Sequence, residues 1–515
     1  MQNDNLLAWL VDRLADVLGH DASRIHPHGT LEELGLESMS VVAMGRVLEA
    51  HFPMLPRTFL YDCRTVADVH DYLRTHFPDE AARLSASLTP VATHVAPAPR
   101  FSDQWETLDE VPADAAAAVD QAIAIVGVAG RYPGAADLES FAAALAAGTD
   151  AVGEVPSERW SADGLFSRDP VARTQWASMS KWGGFLRDVD AFDSAFFGVS
   201  AVDADVMDPQ ERLFIECAWH ALEHAALGPE RLPRAQPGGA ARVGVFAGIT
   251  TLSYPLLGEA HWRSGGGQVP TAMPWSVANR LSWLLDFDGP SIALDTACSS
   301  SLTALHLACE SLRRDECAVA LAGGVNLYLH PSKYVQLSQQ RMLSPTGRCH
   351  AFGDAADGFV PGEGVGVVVL RRLADARAAG DRILGVIRAT GIAHGGRTTG
   401  YTVPSSRSQG VLIRDTLVRA GLIASRIGYV EAHGTGTGLG DPVEVEGLLA
   451  GWAGDRPQRC ALGSVKANIG HLESAAGIAG LTKLLLQFRA RTLFASLHSE
   501  RINPAIDLSR TPFRI

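Results

Sequence analysis

A chain of 515 residues exceeds what one hydrophobic core organises, so two or more domains are expected. The composition, 47% hydrophobic and 20% charged, is that of a globular protein, and a formal charge of -13 argues against nucleic acid as a partner, because phosphate contacts need clustered Lys and Arg. No apolar run reaches the ~18 residues of a membrane span. Seven scattered cysteines, odd in number and without a CxxC pair, argue against a disulfide framework or a metal site and point to reduced thiols in the cytoplasm.

The first predicted element is an amphipathic helix in MQNDNLLAWLVDRLADVLGHD, which lacks the basic segment and apolar core of a signal peptide. Further on, Leu34-Gly35-Leu36 reads as a loop, and Glu37-Ser38 precedes an apolar helix with Val41, Val42, Met44 and Val47. Ser38 therefore stands at a helix N-terminus, where a serine caps the helix or receives a phosphate. A last helix over Thr65 to His76 completes the pattern of a small four-helix bundle over residues 1–77. This region resembles an acyl carrier protein, whose Gly-x-Asp-Ser-Leu serine receives 4′-phosphopantetheine from a phosphopantetheinyl transferase. Here the positions read Gly35-Leu36-Glu37-Ser38-Met39, which the resemblance implies is the attachment site; Ser40 has the wrong offset. Residues 78–119, rich in Ala, Pro, Ser and acidic residues without sustained apolar periodicity, are expected to be a linker.

From about 120 to 515, glycine-bounded apolar strands alternate with helical runs: AIAIVGVAG, RVGVFAGIT, AVALAGGVN, GVGVVVLRRL, RILGVIRATGIAH and GYVEAHGTG. Continuous apolar strands of this kind predict an α/β layered fold with buried sheets. In ALDTACSSSLTALHLACESLRR, Cys298 follows the strand Ser291 to Leu294 and precedes a helix with Leu302, Leu305, His306, Cys309 and Leu312 on one side. Either Cys298 is a small buried apolar residue, or the positive end of the helix lowers its pKa and makes it a nucleophile. His433 lies among glycines after a strand, in a setting that fits a phosphate loop poorly. Lys466 and His471 follow the strand Ala461 to Val465, ahead of a Gly/Ala-rich helix. Strand ends of an α/β fold are where sites gather.

The segments DTACSSSL, EAHGTGTGLGDP and SVKANIGHLESAAGIAG resemble the three signatures of β-ketoacyl synthases. The stretches 347–370 and 196–225 are similar to further segments of the modular polyketide synthase type. The resemblance implies a thiolase fold, two similar halves in five α-β-α-β-α layers, and a homodimer. It implies that Cys298 accepts an acyl group from a carrier arm. A malonyl carrier then loses carbon dioxide, and its enolate attacks the Cys298 thioester in a decarboxylative Claisen condensation. His433 and His471 would stabilise the enolate oxygen, with Lys466 supporting them electrostatically. The ending SLHSERINPAIDL is similar to synthases served by a separate acyltransferase. Family members continue through a GFGGTN-like loop that supplies one oxyanion-hole N–H, so that segment is expected from another polypeptide or a longer record. Two other readings are a synthase that only transfers acyl chains, in which the histidine of the HGTGT segment is often lost, and a non-catalytic carrier-docking module. His433 favours elongation.

Overall fold

The computed structural model describes residues 5–18, 22, 25–31, 34, 44–45, 47–48, 51–52, 54–55, 59–87, 121–169, 176–266, 268–398, 400, 402–452 and 460–515. The chain divides into two compact units. One comprises Met1–Asp109, Ala393–Arg414 and Pro442–Gly454; the other comprises Glu110–Ile392, Asp415–Asp441 and Asp455–Ile515.

In the first unit the helix Asn5–Leu18 buries Leu6, Leu10, Leu14 and Ala15, the stripe that a 3.6-residue period places on one face. Met44, Gly45, Val47 and Leu48 are helical, with Met44 and Leu48 buried. The helix Val66–His76 starts at the Thr65 capping box, in which the Thr65 side chain and the Asp68 carboxylate each take a main-chain N–H. Leu31 N–H donates to Arg64 O at 2.8 Å and Thr30 bridges Thr65, so the segment leading to Ser38 begins on the end of that helix. Ser38 and Ser40 themselves lie outside the described residues. The expected linker does not begin at 78: Pro78–Ser87 is a further helix. Pro78 opens it, Asp79 and Glu80 favour its first turn, and Ala81 and Leu84 are buried as it packs on the helices Asn5–Leu18 and Val66–His76. Residues 88–119 of the expected linker lie outside the described residues, Pro90 to Arg100 among them. Elsewhere in this unit, Gly410 of the helix Ser406–Ala420 meets Ala450 of the helix Gly440–Gly451.

The second unit contains β1 (Ile123–Arg131), β2 (Gly153–Glu154), β3 (Trp182–Gly183), β4 (Val243–Gly248), β5 (Ser291–Leu294), β6 (Val319–Asn326), β7 (Gly364–Arg372), β8 (Gly385–Ile387), β9 (Tyr429–Glu431), β10 (Cys460–Gly463) and β11 (Phe513–Arg514). A six-stranded sheet runs β5-β4-β6-β7-β1-β8, and a three-stranded sheet runs β11-β10-β9. β4 is parallel to β5 and β6, whereas β7 is antiparallel to β6 and β1.

Both faces of the large sheet are buried. Val365, Val367 and Val369 of β7 join one core with the helices Pro209–His224 and Pro274–Leu284. Val368 and Leu370 join the other with Ser300–Arg313 and Ala476–Ala490. β1 shows how the register is kept. Ile123 and Ile125 face the second core and Ala124 and Val126 the first, but after a bulge between Ile125 and Gly127 the parity flips, and Val128 faces the second core. A side chain at Gly127 would stand 2.4 Å from Ala221 O of the covering helix, so the bulge needs glycine.

The helix Ala476–Ala490 also contacts β9, so the order within this unit is helices, large sheet, helices, small sheet. One expected strand is much shorter than its sequence. Of RILGVIRATGIAH only Gly385–Ile387 forms strand, because it pairs antiparallel with Ile123–Ile125 and its register reaches the start of β1 at Ile387. Among the described residues its strand pairing ends there.

Candidate active site

β5 ends at Leu294, and a tight turn delivers Cys298 to the start of the helix Ser300–Arg313. Asp295 organises the turn: its Oδ1 accepts from Thr250 Oγ1 at 2.9 Å and from the Ala297 N–H at 2.8 Å. Ser300, fully buried, accepts from the Thr296 N–H at 2.9 Å and donates to Ala297 O at 2.6 Å. So held, Ala297 adopts φ +53°, a left-handed conformation that costs an L-residue about 1–2 kcal/mol. Ser299 donates to Thr296 O at 2.8 Å, and Ser301 accepts from the Ile478 N–H at 3.0 Å, tying the helix to its neighbour Ala476–Ala490. The three serines after Cys298 are thus tied into the turn and the helix, and Cys298 faces the cavity beside Thr296, Ala297 and Ser299.

His433 follows β9. The glycine loop after it is not a phosphate cradle: the Gly436 N–H donates to both Asp441 oxygens at 3.2 Å, and the Phe352 N–H donates to Asp441 Oδ2 at 2.6 Å. A buried carboxylate already occupies the donors a phosphate would need. Lys466 and His471 lie after β10 and are both buried. The His471 main chain is clamped by Val360 O, which accepts its N–H at 2.7 Å, and by the Gly362 N–H, which donates to its carbonyl at 2.9 Å. Preceding Gly470, at φ +77°, has Pro361 O 2.8 Å from where a Cβ would stand, so the turn admits only glycine.

These elements converge. A cavity of about 480 Å³ is lined by Cys298, His433, Lys466, Glu431, Leu302 and Leu481, with others. The His433 and His471 ring centroids are 5.3 Å apart at an interplanar angle of 86°. His471 Nδ1 accepts from the Glu473 N–H at 3.0 Å, so the proton of the neutral ring sits on Nε2 and is available to donate. Burial, then Lys466, holds the His433 imidazole well below the ordinary histidine range; burial, Lys466, His433 and Lys333 do the same to His471. Both rings are neutral hydrogen-bond donors at neutral pH.

The thiol departs from expectation. Its place at a helix start predicts a lowered pKa, but burial, with Glu473 next, pushes Cys298 up to about 11 against the pull of Lys466 and Lys333. Cys298 is therefore a neutral thiol at neutral pH. Its alkylation by iodoacetamide should therefore rise about tenfold per pH unit from pH 7 to pH 10, followed by peptide mapping; a plateau near pH 8 contradicts this. Label should concentrate on Cys298, because the other six cysteines are buried.

Sequence reasoning missed three acidic residues. Asp441 shapes the loop after His433. Glu431 accepts from the Val465 N–H at 2.6 Å and pairs with fully buried Lys483 at 2.8 Å, bracing the strand ends that carry His433 and Lys466. Glu473 is buried beside His471. The available signal was a charged residue inside an otherwise small and apolar run, which demands a partner.

Compared with known proteins, residues 120–376 match the beta-ketoacyl synthase N-terminal domain and residues 384–500 its C-terminal domain. The chain belongs to the β-ketoacyl synthase family of polyketide synthases. The ketosynthase region is similar to the oxazolomycin ketosynthase domain OzmH KS7 of Streptomyces albus JA3453, at 52% identity and TM-score 0.73 over 76% of this chain and 67% of that one. It is also similar to the ketosynthase from module 6 of the bacillaene synthase of Bacillus subtilis 168, at 39% identity and TM-score 0.70 over 76% and 66%. These neighbours identify the thiolase-like ketosynthase fold. Including the carrier region, the chain is 45% identical to polyketide synthase ThaG of Burkholderia thailandensis over 97% of this chain and 9% of that protein. It is 41% identical to polyketide synthase PksL of Bacillus subtilis over 98% and 11%. The chain thus spans about a tenth of the length of these curated relatives.

Residues 8–73 match the phosphopantetheine attachment site, so the N-terminal domain is a carrier with covalently bound 4′-phosphopantetheine. The helices Asn5–Leu18 and Val66–His76, with the tie between Leu31 and Arg64, fit such a scaffold. The arm supplies a thiol that bears acyl groups.

Proposed function

We propose that this chain is an elongating ketosynthase module fragment that joins an acyl chain to a malonyl-derived unit, with Cys298 as nucleophile. The observation that carries this is the meeting of Cys298, His433 and Lys466 on one cavity, with His471 adjoining. Cys298 Sγ attacks the carbonyl of an acyl thioester; its proton passes to the departing carrier thiol, and the acyl group becomes a Cys298 thioester. A malonyl thioester then loses carbon dioxide, and the bond electrons form an enolate. Nε2–H of His471 and the His433 ring donate to the enolate oxygen, an interaction that strengthens as charge develops. The enolate carbon attacks the Cys298 thioester carbonyl, releasing the β-ketoacyl carrier and a thiolate that takes a proton from solvent. Burial keeps the two rings neutral, and Lys466 adds to that effect. The presence of His433 favours elongation over acyl transfer alone. Supplying an acyl carrier and a malonyl carrier tests the reading: β-ketoacyl carrier should accumulate with one carbon dioxide per product, whereas exchange of acyl groups without carbon dioxide release overturns it.

Ser38 is the proposed attachment residue, loaded by a phosphopantetheinyl transferase. Incubation with coenzyme A and such a transferase should add one arm by intact mass, and Ser38→Ala should add none; modification of that variant would move the site elsewhere. Malonyl units come from a separate acyltransferase in this reading, and cysteines held as thiols suit a reducing cytoplasm. The ketosynthase also pairs with a second copy: β5 is the edge of the large sheet, and Ile292, Trp275 and Trp283 are exposed beside it.

A further inference from the structure

The cavity at Cys298 has two kinds of wall. Cys298, His433 and Lys466 supply reactive and polar groups. The other wall is apolar and comes from two helices. Gly477, Gly480, Leu481 and Leu484 of the helix Ala476–Ala490 follow spacings of three and four residues, so they share one face, and all four line the cavity. A side chain at Gly477 would collide with Leu302 of the helix Ser300–Arg313, and one at Gly480 would stand 3.0 Å from Glu431 Cγ. The glycines thus let the neighbouring elements close in, while Leu302, Leu481 and Leu484 face the space between. Leu302 is 48% exposed and Leu484 is half-buried, and neither belongs to the two cores of this unit. Apolar surface left open in a cavity is unfavourable in water, and covering it with an apolar group recovers that free energy. Glu431, the carboxylate on the same lining, is committed within the protein: it accepts from the Tyr429 hydroxyl at 2.6 Å and the Val465 N–H at 2.6 Å, and pairs with Lys483 at 2.8 Å.

We propose that Leu302, Leu481 and Leu484 receive the hydrocarbon tail of the acyl group on Cys298, which makes these side chains specificity-determining and the accepted substrate an aliphatic acyl chain of several carbons. This rests on Cys298 being the nucleophile. The occupant follows from continuity, because the thiol that would carry the acyl group and the three leucines line one cavity of about 480 Å³. The stripe from Gly477 to Leu484 runs about 10 Å along its helix. An acetyl group covers far less of it than an octanoyl chain does. A hydroxylated or charged tail fits it poorly, since against leucine it would lose water without gaining a hydrogen bond.

A loading competition on the full chain tests this. Acetyl- and octanoyl-pantetheine thioesters are offered at equal concentration, and the acylated Cys298 peptide is quantified over time by mass spectrometry. Octanoyl should load on wild-type Cys298 at least about tenfold faster, since even one methylene in an apolar pocket is worth roughly that factor. Leu302→Asn and Leu484→Asn should each lower the octanoyl-to-acetyl ratio by about tenfold, and Leu484→Met, which keeps the wall apolar, should retain most of it. Phe488→Ala, one turn further on the same helix and outside the cavity lining, should leave the ratio unchanged. Acetyl loading as fast as octanoyl in the wild type, or a ratio that both asparagine variants leave unchanged, overturns the proposal while Cys298 stays the nucleophile. If Leu484→Asn fails to fold by circular dichroism, Leu302→Asn, at an exposed position, decides alone. Loading of neither group on Cys298 sinks the nucleophile reading instead, so the two failures are distinct.

Discussion

Replacing Cys298 with alanine should reduce acyl loading of the ketosynthase by about 10⁴-fold or more, to background, because the proposed acceptor thiol is gone. The geometry places the thiol. Asp295 and Ser300 shape the turn, Ala297 absorbs the backbone strain, and Cys298 lines the cavity together with Thr296, Ala297 and Ser299. Cys309 and Cys317 lie near in sequence but are fully buried, and burial pushes Cys309 up to about 12. Cys309→Ala should therefore load normally. Peptide mapping by mass spectrometry after exposure to an acyl thioester reads both variants; a full acyl adduct within the ketosynthase of Cys298→Ala would show that another residue there is the acceptor.

The second large effect is a split between half-reactions. His433→Ala should leave acylation of Cys298 largely intact while condensation falls by about 10²–10³, the usual cost of removing one preorganised donor to a developing oxyanion. Acyl transfer needs the thiol, whereas the enolate oxygen needs both rings, whose centroids are 5.3 Å apart. Because burial holds both rings neutral at neutral pH, condensation should not fall between pH 8 and pH 6 through their protonation. Acylated protein and β-ketoacyl carrier are followed separately by mass spectrometry. Condensation at the wild-type rate in His433→Ala would make His433 structural.

What could be read from the sequence follows a physical divide. Strands buried on both faces announce themselves by composition, so β1, β4, β6 and β7 stand where apolar runs bounded by glycine predict them. The junction at Cys298 was legible too, since β5 is Ser291–Leu294 and the helix starts at Ser300. Partnership was not legible. Strand order, the bulge at Gly127 and the early end of β8 at Ile387 depend on which neighbour supplies hydrogen bonds. The helix Pro78–Ser87 was hidden because, among its described side chains, Ala81 and Leu84 alone are buried, too few apolar positions to mark a period. The direction of the Cys298 shift failed for the same reason: a helix start is visible in sequence, but the burial that outweighs it comes from chain far away. Glu473 and Lys333 are 140 residues apart and meet only in the fold.

The central claim is that one thiol carries the chain and one decarboxylation extends it. A single-turnover experiment tests it most directly. The chain is first acylated on Cys298 and freed of donor, then mixed with malonyl carrier labelled with ¹³C in every malonyl carbon, within its synthase. The account predicts that the Cys298 adduct disappears as β-ketoacyl carrier appears in equal amount, with one labelled carbon dioxide released per product and two labelled carbons retained. A Cys298 adduct that persists, or that returns unextended to a carrier thiol without labelled carbon dioxide, would contradict it.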